Sequence, residues 1–180
     1  MAKINLGLDV LGKREDGYHE VRMIMQTIRM YDILDIRKTR RPGIVLTTNL
    51  PFIPTDQRNL VYKAAQMLME EFDVEEGLSI KLRKFIPVAA GMAGGSSDAA
   101  AAFVGVNRMF HLGLTEEQLM ERAVKVGADV PYCIMRGTAL AEGIGEKLTR
   151  LPEVPKCYVL IGKPGINVST KTAYENLNLE

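Results

Sequence analysis

Residues 87–98 read Pro-Val-Ala-Ala-Gly-Met-Ala-Gly-Gly-Ser-Ser-Asp and run directly into an alanine series from Ala99 to Ala102. A small-residue loop that opens a helix can build a phosphate cradle. Gly91, Gly94 and Gly95 remove the Cβ atoms that would hold backbone N–H groups away from an anion. The first helical turn adds unpaired N–H donors and the positive end of a dipole. Ser96 and Ser97 add hydroxyls that can reach phosphate oxygens or a bound magnesium ion. The loop lacks the Lys that a Walker A motif places before its Ser or Thr. It also lacks the buried parallel strand that precedes a dinucleotide fingerprint. Before it, Leu78, Ile80 and Leu82 alternate with Ser79, Lys81 and Arg83, which predicts an antiparallel strand over 78–86 with one wet face. The competing reading is close helix–sheet packing, with Ser-Ser-Asp as an ordinary N-cap.

The elements that must position this loop follow from periodicity. Ile4, Leu6, Leu8 and Val10 alternate with Lys3, Asn5, Gly7 and Asp9, giving a strand with one core face and with Lys3 and Asn5 together on the other. The segment 12–17 is a charged loop between glycines. Strands are expected over 19–30 and 33–38, broken at Tyr31-Asp32, and over 44–48. The basic run Lys38 to Arg41 ends at Pro42-Gly43 and reads as a solvated hairpin tip. Leu60, Ala64, Met67, Leu68 and Phe72 share a helical face, which places a first helix over 59–72. A second grows from the glycine loop over about 97–110. A third starts at Thr115 with a Thr-x-x-Gln118 capping box and stops near Gly127. Strands are expected over 133–142 and 157–162, and a last short helix is capped by Ser169 or Thr170. The fold class is α+β, a largely antiparallel sheet with helices on one face, in a single domain over 1–180.

A chain of 180 residues with 47% hydrophobic and 25% charged residues can bury a core of its own. Its 23 Lys and Arg against 22 Asp and Glu leave a net charge of +1, which excludes a global basic field for nucleic acid or an anionic membrane. Cys133 and Cys157 both lie in apolar stretches, lack zinc-ligand spacing, and read as buried free thiols of a reducing compartment. With no apolar run of membrane-spanning length and no signal peptide, the expected location is cytoplasmic.

Three segments together resemble the GHMP small-molecule kinases: Ala2-Lys3-Ile4-Asn5-Leu6, Asp16-Gly17-Tyr18-His19, and the glycine loop. Two more, Gly127-Ala128-Asp129-Val130-Pro131 and Pro164 to Thr170, are similar to segments of the branch acting on 4-diphosphocytidyl-2-C-methyl-D-erythritol. The resemblance implies an architecture shared with a ribosomal protein domain. It further implies ATP-dependent phosphorylation of the substrate 2-hydroxyl, in the non-mevalonate route to isoprenoid precursors. A hydroxyl attacking phosphorus must lose its proton, and Asp129 matches the family's base. Lys3 matches the catalytic lysine that keeps Asp129 ionised and stabilises the transferring charge. Asn5 would position the cytidine-diphosphate substrate. Tyr18 would stack on cytosine, His19 would bond its edge, and Tyr174 would cover the other face. Ile144 and Thr170 would line the cytidine side. ATP would lie over Pro87, Ala89, Ala90, Gly91, Met92, Ala93, Gly94, Gly95, Ser96 and Ser97, with Asn59 and Lys84 towards the adenosine. Magnesium would be bound mainly through the phosphates, without a protein cage.

Two departures stand out. Relatives carry Gly at several of the positions held here by Ala89, Ala90 and Ala93, and the cradle is expected to survive unless one of them needs a positive φ. Relatives also begin a few residues earlier and continue into a second domain. The chain is therefore expected to lack that C-terminal domain and to expose apolar surface that favours self-association. Its catalysis is expected to be weakened by lost water exclusion. The alternatives are a GHMP kinase for another small alcohol, which would leave Tyr18 and His19 without a base to grip, and a non-catalytic nucleotide-binding module.

Overall fold

The computed structural model of the chain describes residues 1–165 together with 173, 176 and 177. Along the chain lie β1 (Lys3–Lys13), β2 (His19–Thr27), β3 (Ile33–Thr39), β4 (Ile44–Thr48), α1 (Leu60–Glu71), β5 (Gly77–Arg83), α2 (Gly94–Met109), α3 (Glu116–Ala123), α4 (Val130–Met135), β6 (Thr138–Glu142) and β7 (Lys147–Arg150). The class is α+β, with the strands divided between two sheets. One is fully antiparallel in the order β1-β2-β6-β7. The other has the order β3-β5-β4, with β3 antiparallel and β4 parallel to β5.

That parallel pair corrects the sequence reading. The basic run at 38–41 does not tip a hairpin, because β5 enters between β3 and β4. A parallel pair needs a long crossover, and α1, lying between β4 and β5 in the chain, supplies it. The connection from β3 crosses so close to the start of β5 that a Cβ on Gly77 would lie 2.0 Å from the Arg41 carbonyl oxygen. The alternation in β5 is as expected, with Leu78, Ile80 and Leu82 buried.

Helix α1 begins where its cap predicts: the Asn59 side chain accepts from the Val61 N–H at 2.9 Å. The Thr115–Gln118 capping box opens α3. Helix α2 starts at Gly94, three positions before the expected Ser97, and its N-cap Ala93 makes no side-chain cap bond. Ser-Ser-Asp is therefore inside the helix rather than its cap. The expected strand over 133–142 is half helix: Cys133 is buried on α4, and the strand begins only at Thr138. The expected strand over 157–162 forms no ladder, and Cys157 is exposed, not buried. The helix expected at Ser169 or Thr170 falls on residues outside those described.

The core lies between the helices and the sheets. Val61, Ala64 and Leu68 of α1 meet Ala99, Ala102, Phe103 and Val106 of α2 and the inner faces of β2 and β5. The small residues of α2 allow close approach, and a Cβ on Gly105 would lie 2.7 Å from Ile36 Cδ1 on β3.

Strand β1 departs most from its pattern. Leu6 and Leu8, read as core residues, are 53% and 42% exposed, whereas Lys3 is buried. Asn5 pairs with Met25 and Gly7 with Ile24, so Leu6 is an extra residue in a β-bulge. A bulge reverses the alternation beyond it, which brings Leu8 to the same side as Lys3 and Asn5. That side faces a cleft.

Candidate active site

The cleft has a volume of about 1280 Å³ and is walled by segments remote in sequence. The start of β1 contributes Lys3 and Asn5, the β1–β2 tip Tyr18 and His19, the approach to α1 Arg58 and Asn59, and the end of β5 Lys84. The glycine loop from Pro87 to Ser96 forms one wall, Asp129 stands at the entrance to α4, and Ile144 lies on the β6–β7 turn.

The glycine loop is held open by its backbone. Gly91 adopts φ +69°, and Ala89 and Ala93 adopt +53° and +52°. Two of the three alanines, Ala89 and Ala93, thus sit in the left-handed region, where a Cβ costs about 1–2 kcal/mol. With Ala93 as a cap lacking a side-chain acceptor, the first-turn N–H groups of α2 are left for an anion. Gly94 lets the start of α2 pack closely on the residues beneath it, since a Cβ there would lie 3.1 Å from both Ile86 Cγ2 and Lys84 Nζ. Ser96 lines the cleft. Ser97 does not: it is buried and its hydroxyl donates to the Gly94 carbonyl at 3.1 Å.

The loop is tied to β1 by a bond from the Lys3 N–H to the Met92 carbonyl at 3.1 Å. The Lys3 ammonium lies 3.2 Å from Asn5 Oδ1 and 3.6 Å from Asp129 Oδ2. Asp129 occupies the N-cap position of α4, yet its carboxylate makes no cap bond. It is turned to the cleft instead, as a base for a bound hydroxyl must be.

On the opposite side, Tyr18 is 60% exposed at the hairpin tip. The tip is shaped by surface ion pairs: Arg14 bonds Asp16 and Glu20, and Asp16 accepts the Tyr18 N–H at 3.1 Å. Hydrogen bonding to Arg14, then to the Tyr18 N–H, holds the Asp16 carboxyl below the usual range. The Ile144 N–H is fixed by Glu146 at 2.7 Å. Thr170 and Tyr174 lie outside the described residues.

Two residues carried to the adenosine end are already engaged within the protein. Asn59 caps α1 with Oδ1 and donates Nδ2 to the Pro54 carbonyl at 2.8 Å. Lys84 is buried between Asp32 and Asp98, the latter at 2.7 Å. Burial pushes the Asp98 carboxyl up to about 7, with Lys84 opposing the rise. Burial also raises Asp32, but Lys84 and the N–H groups of Ile86 and Phe85 outweigh it and hold that carboxyl below its usual value. Neither aspartate was read as part of the site. The available signal was a lone Asp in an alanine-rich helix, since an acid is almost never fully buried without a partner. Among the described residues, no cluster of His, Cys, Asp and Glu could hold a metal ion, and no helix is long and apolar enough to cross a membrane.

Residues 59–137, which span α1, the glycine loop and Asp129, match the family GHMP kinases N terminal domain. The chain carries a GHMP kinase N-terminal domain. It is 57% identical over 177 residues to a 4-diphosphocytidyl-2-C-methyl-D-erythritol kinase of Lachnospira eligens, covering 98% of this chain and 62% of the relative. To the enzyme of that name from Caldicellulosiruptor bescii it is 54% identical, covering 99% and 62%. The chain therefore spans about 62% of the length of these curated relatives. A crystal structure of 4-(cytidine 5'-diphospho)-2C-methyl-D-erythritol kinase superposes with a TM-score of 0.72 at 35% identity, over 83% of this chain and 53% of that one. Homoserine kinase from Cytophaga hutchinsonii shares the fold, with a TM-score of 0.66 at 18% identity, over 91% and 54% of the two chains. The matched residues 59–137 contain α1, β5, the helix-initiating loop with α2, and Asp129 at the start of α4.

Proposed function

We propose that this protein phosphorylates the 2-hydroxyl of 4-diphosphocytidyl-2-C-methyl-D-erythritol with ATP, in the methylerythritol phosphate route to isoprenoid precursors. The observation that carries the reading is the meeting of Lys3, Asn5 and Asp129 in one cleft with the glycine loop and the Tyr18–His19 tip. The similarly named relatives support the choice of substrate.

Asp129 accepts the proton of the substrate hydroxyl as the oxygen attacks the γ-phosphorus. The Lys3 ammonium, beside that carboxylate, keeps it ionised in the ground state and offsets negative charge on the transferring phosphoryl group. The N–H groups at the start of α2 hold the nucleotide phosphates, with the Ser96 hydroxyl beside them. Tyr18 stacks on the pyrimidine and His19 bonds its edge. Magnesium would be held mainly through the nucleotide phosphates, within reach of the Ser96 hydroxyl, and would neutralise phosphate charge there. A site of this kind is placed in the cytoplasm, where ATP is available. Self-association through exposed apolar surface belongs to the same proposal, and light scattering that finds only monomer would remove it.

Calorimetric titration with CDP, and separately with a non-hydrolysable ATP analogue plus magnesium, tests the reading. CDP binding that disappears in Tyr18→Ala supports it. Binding of the ATP analogue without CDP leaves a nucleotide site and overturns the cytidine assignment.

A further inference from the structure

Lys84 sits where β5 hands over to the glycine loop, and its ammonium is shared by two carboxylates. Asp98 lies 2.7 Å away and Asp32 contacts it from the other side, all three side chains being 5% exposed or less. Asp32 also accepts the N–H groups of Phe85 and Ile86, so it pins the backbone entering the loop. Above the Asp98 value of about 7, where both carboxyls are ionised, two carboxylates face the one Lys84 ammonium in a buried place. Other groups face Asp98 as well. The Met1 amino group does, with its pKa lowered by burial, and so does the Cys133 thiol of α4, which burial pushes up to about 12. Arg136 is near enough to that amino group for its charge to oppose it.

The cluster lies under the phosphate cradle. A Cβ on Gly94 would lie 3.1 Å from Lys84 Nζ. Asp98 follows Gly94 by four positions in α2, about 6 Å along the axis. Both Lys84 and Asp98 line the cleft. An anion on the α2 N-terminus therefore feels the attraction of the N–H groups and, once Asp98 is ionised, the repulsion of a cluster with two carboxylates to one lysine behind them.

We propose that Asp98 is a positioning residue that sets nucleotide affinity: it holds Lys84 beneath the cradle, and its charge weakens the grip on bound phosphates so that product can leave. The inference rests on the nucleotide reading of the site. Asp98→Asn keeps an oxygen that can accept from Lys84 and removes the charge. A residue needed only for structure would make this variant bind more weakly, whereas an opposing charge makes it bind more tightly.

The probe is ADP with magnesium, titrated calorimetrically at about pH 8, above the Asp98 value of about 7. The expected result is about a three- to tenfold lower Kd for Asp98→Asn than for the parent chain. An unchanged or higher Kd in a variant with the parent circular dichroism spectrum overturns the proposal. Should Asp98→Asn fail to fold, Asp32→Asn removes the same charge while keeping an acceptor for Phe85 and Ile86, and the same tightening is required of it. If the parent chain binds no ADP, the nucleotide reading fails and this inference falls with it. ADP binding without tightening overturns the inference alone.

Discussion

The two walls of the cleft are built differently. The phosphate wall is fixed from beneath by the Asp32–Lys84–Asp98 cluster, by the Lys3 to Met92 backbone bond, and by alanines held at positive φ. The Tyr18 wall is a hairpin tip with an exposed ring, shaped by ion pairs at the surface. Phosphates are common to all nucleotides and are recognised by backbone geometry, which tolerates little movement. A base is recognised by a side chain that can be presented on a surface turn without involving the core. The proposed function thus assigns general binding to the buried wall and selectivity to the exposed one.

The sharpest test of that contrast is stability. Lys84→Met leaves two buried carboxylates facing each other and is expected to cost about 3–5 kcal/mol in denaturant unfolding. Tyr18→Ala is expected to stay within about 0.5 kcal/mol of the parent chain, because its ring covers no core. Equal losses for the two variants would break the comparison.

A second test uses pH. Asp98 has a folded value of about 7, raised from 3.8 by burial. The native state therefore binds more protons than the unfolded chain between those values, and this group's contribution to stability falls as pH rises through that window. Asp32, with a lowered folded value, acts in the opposite sense: it stabilises above the unfolded carboxyl value, and that share is lost as pH falls. Melting temperatures of Asp98→Asn should lack the decline towards pH 7 that the parent chain shows. A variant that keeps the decline would assign it to another group.

A smaller effect than that of Lys84→Met, and of opposite sign, is expected at the cap. Ala93→Gly relieves left-handed strain at φ +52°. Against the extra freedom given to the unfolded chain, it should raise stability by about 0.5–1 kcal/mol. A loss of stability would mean that the Ala93 methyl makes a contact worth more than the strain.

Much of this was legible along the chain because it depends on local chemistry. The caps at Asn59 and Thr115, the apolar face of β5 and the helix-initiating glycine loop each follow from residues within a turn of one another. The strand over 133–142 was misread because Val130 to Met135 is apolar all round, and a short run of that kind fits a buried helix or a strand equally well. The parallel β4–β5 pair was missed although the helix between them, α1, was found. Strand partners are chosen by which apolar faces fit in space, and spacing does not encode that choice.

The sequence by itself determined that a glycine-rich loop opens a helix and that Lys3 and Asn5 share a strand face, since both rest on backbone periodicity and residue size. The resemblance implied that Lys3 meets Asp129, but only the tertiary structure decided that a bulge at Leu6 turns Leu8 to the cleft and that Asp32 and Asp98 share one lysine. Those outcomes depend on burial and on contacts between distant segments, where the cost of removing charge from water selects which polar groups must find each other.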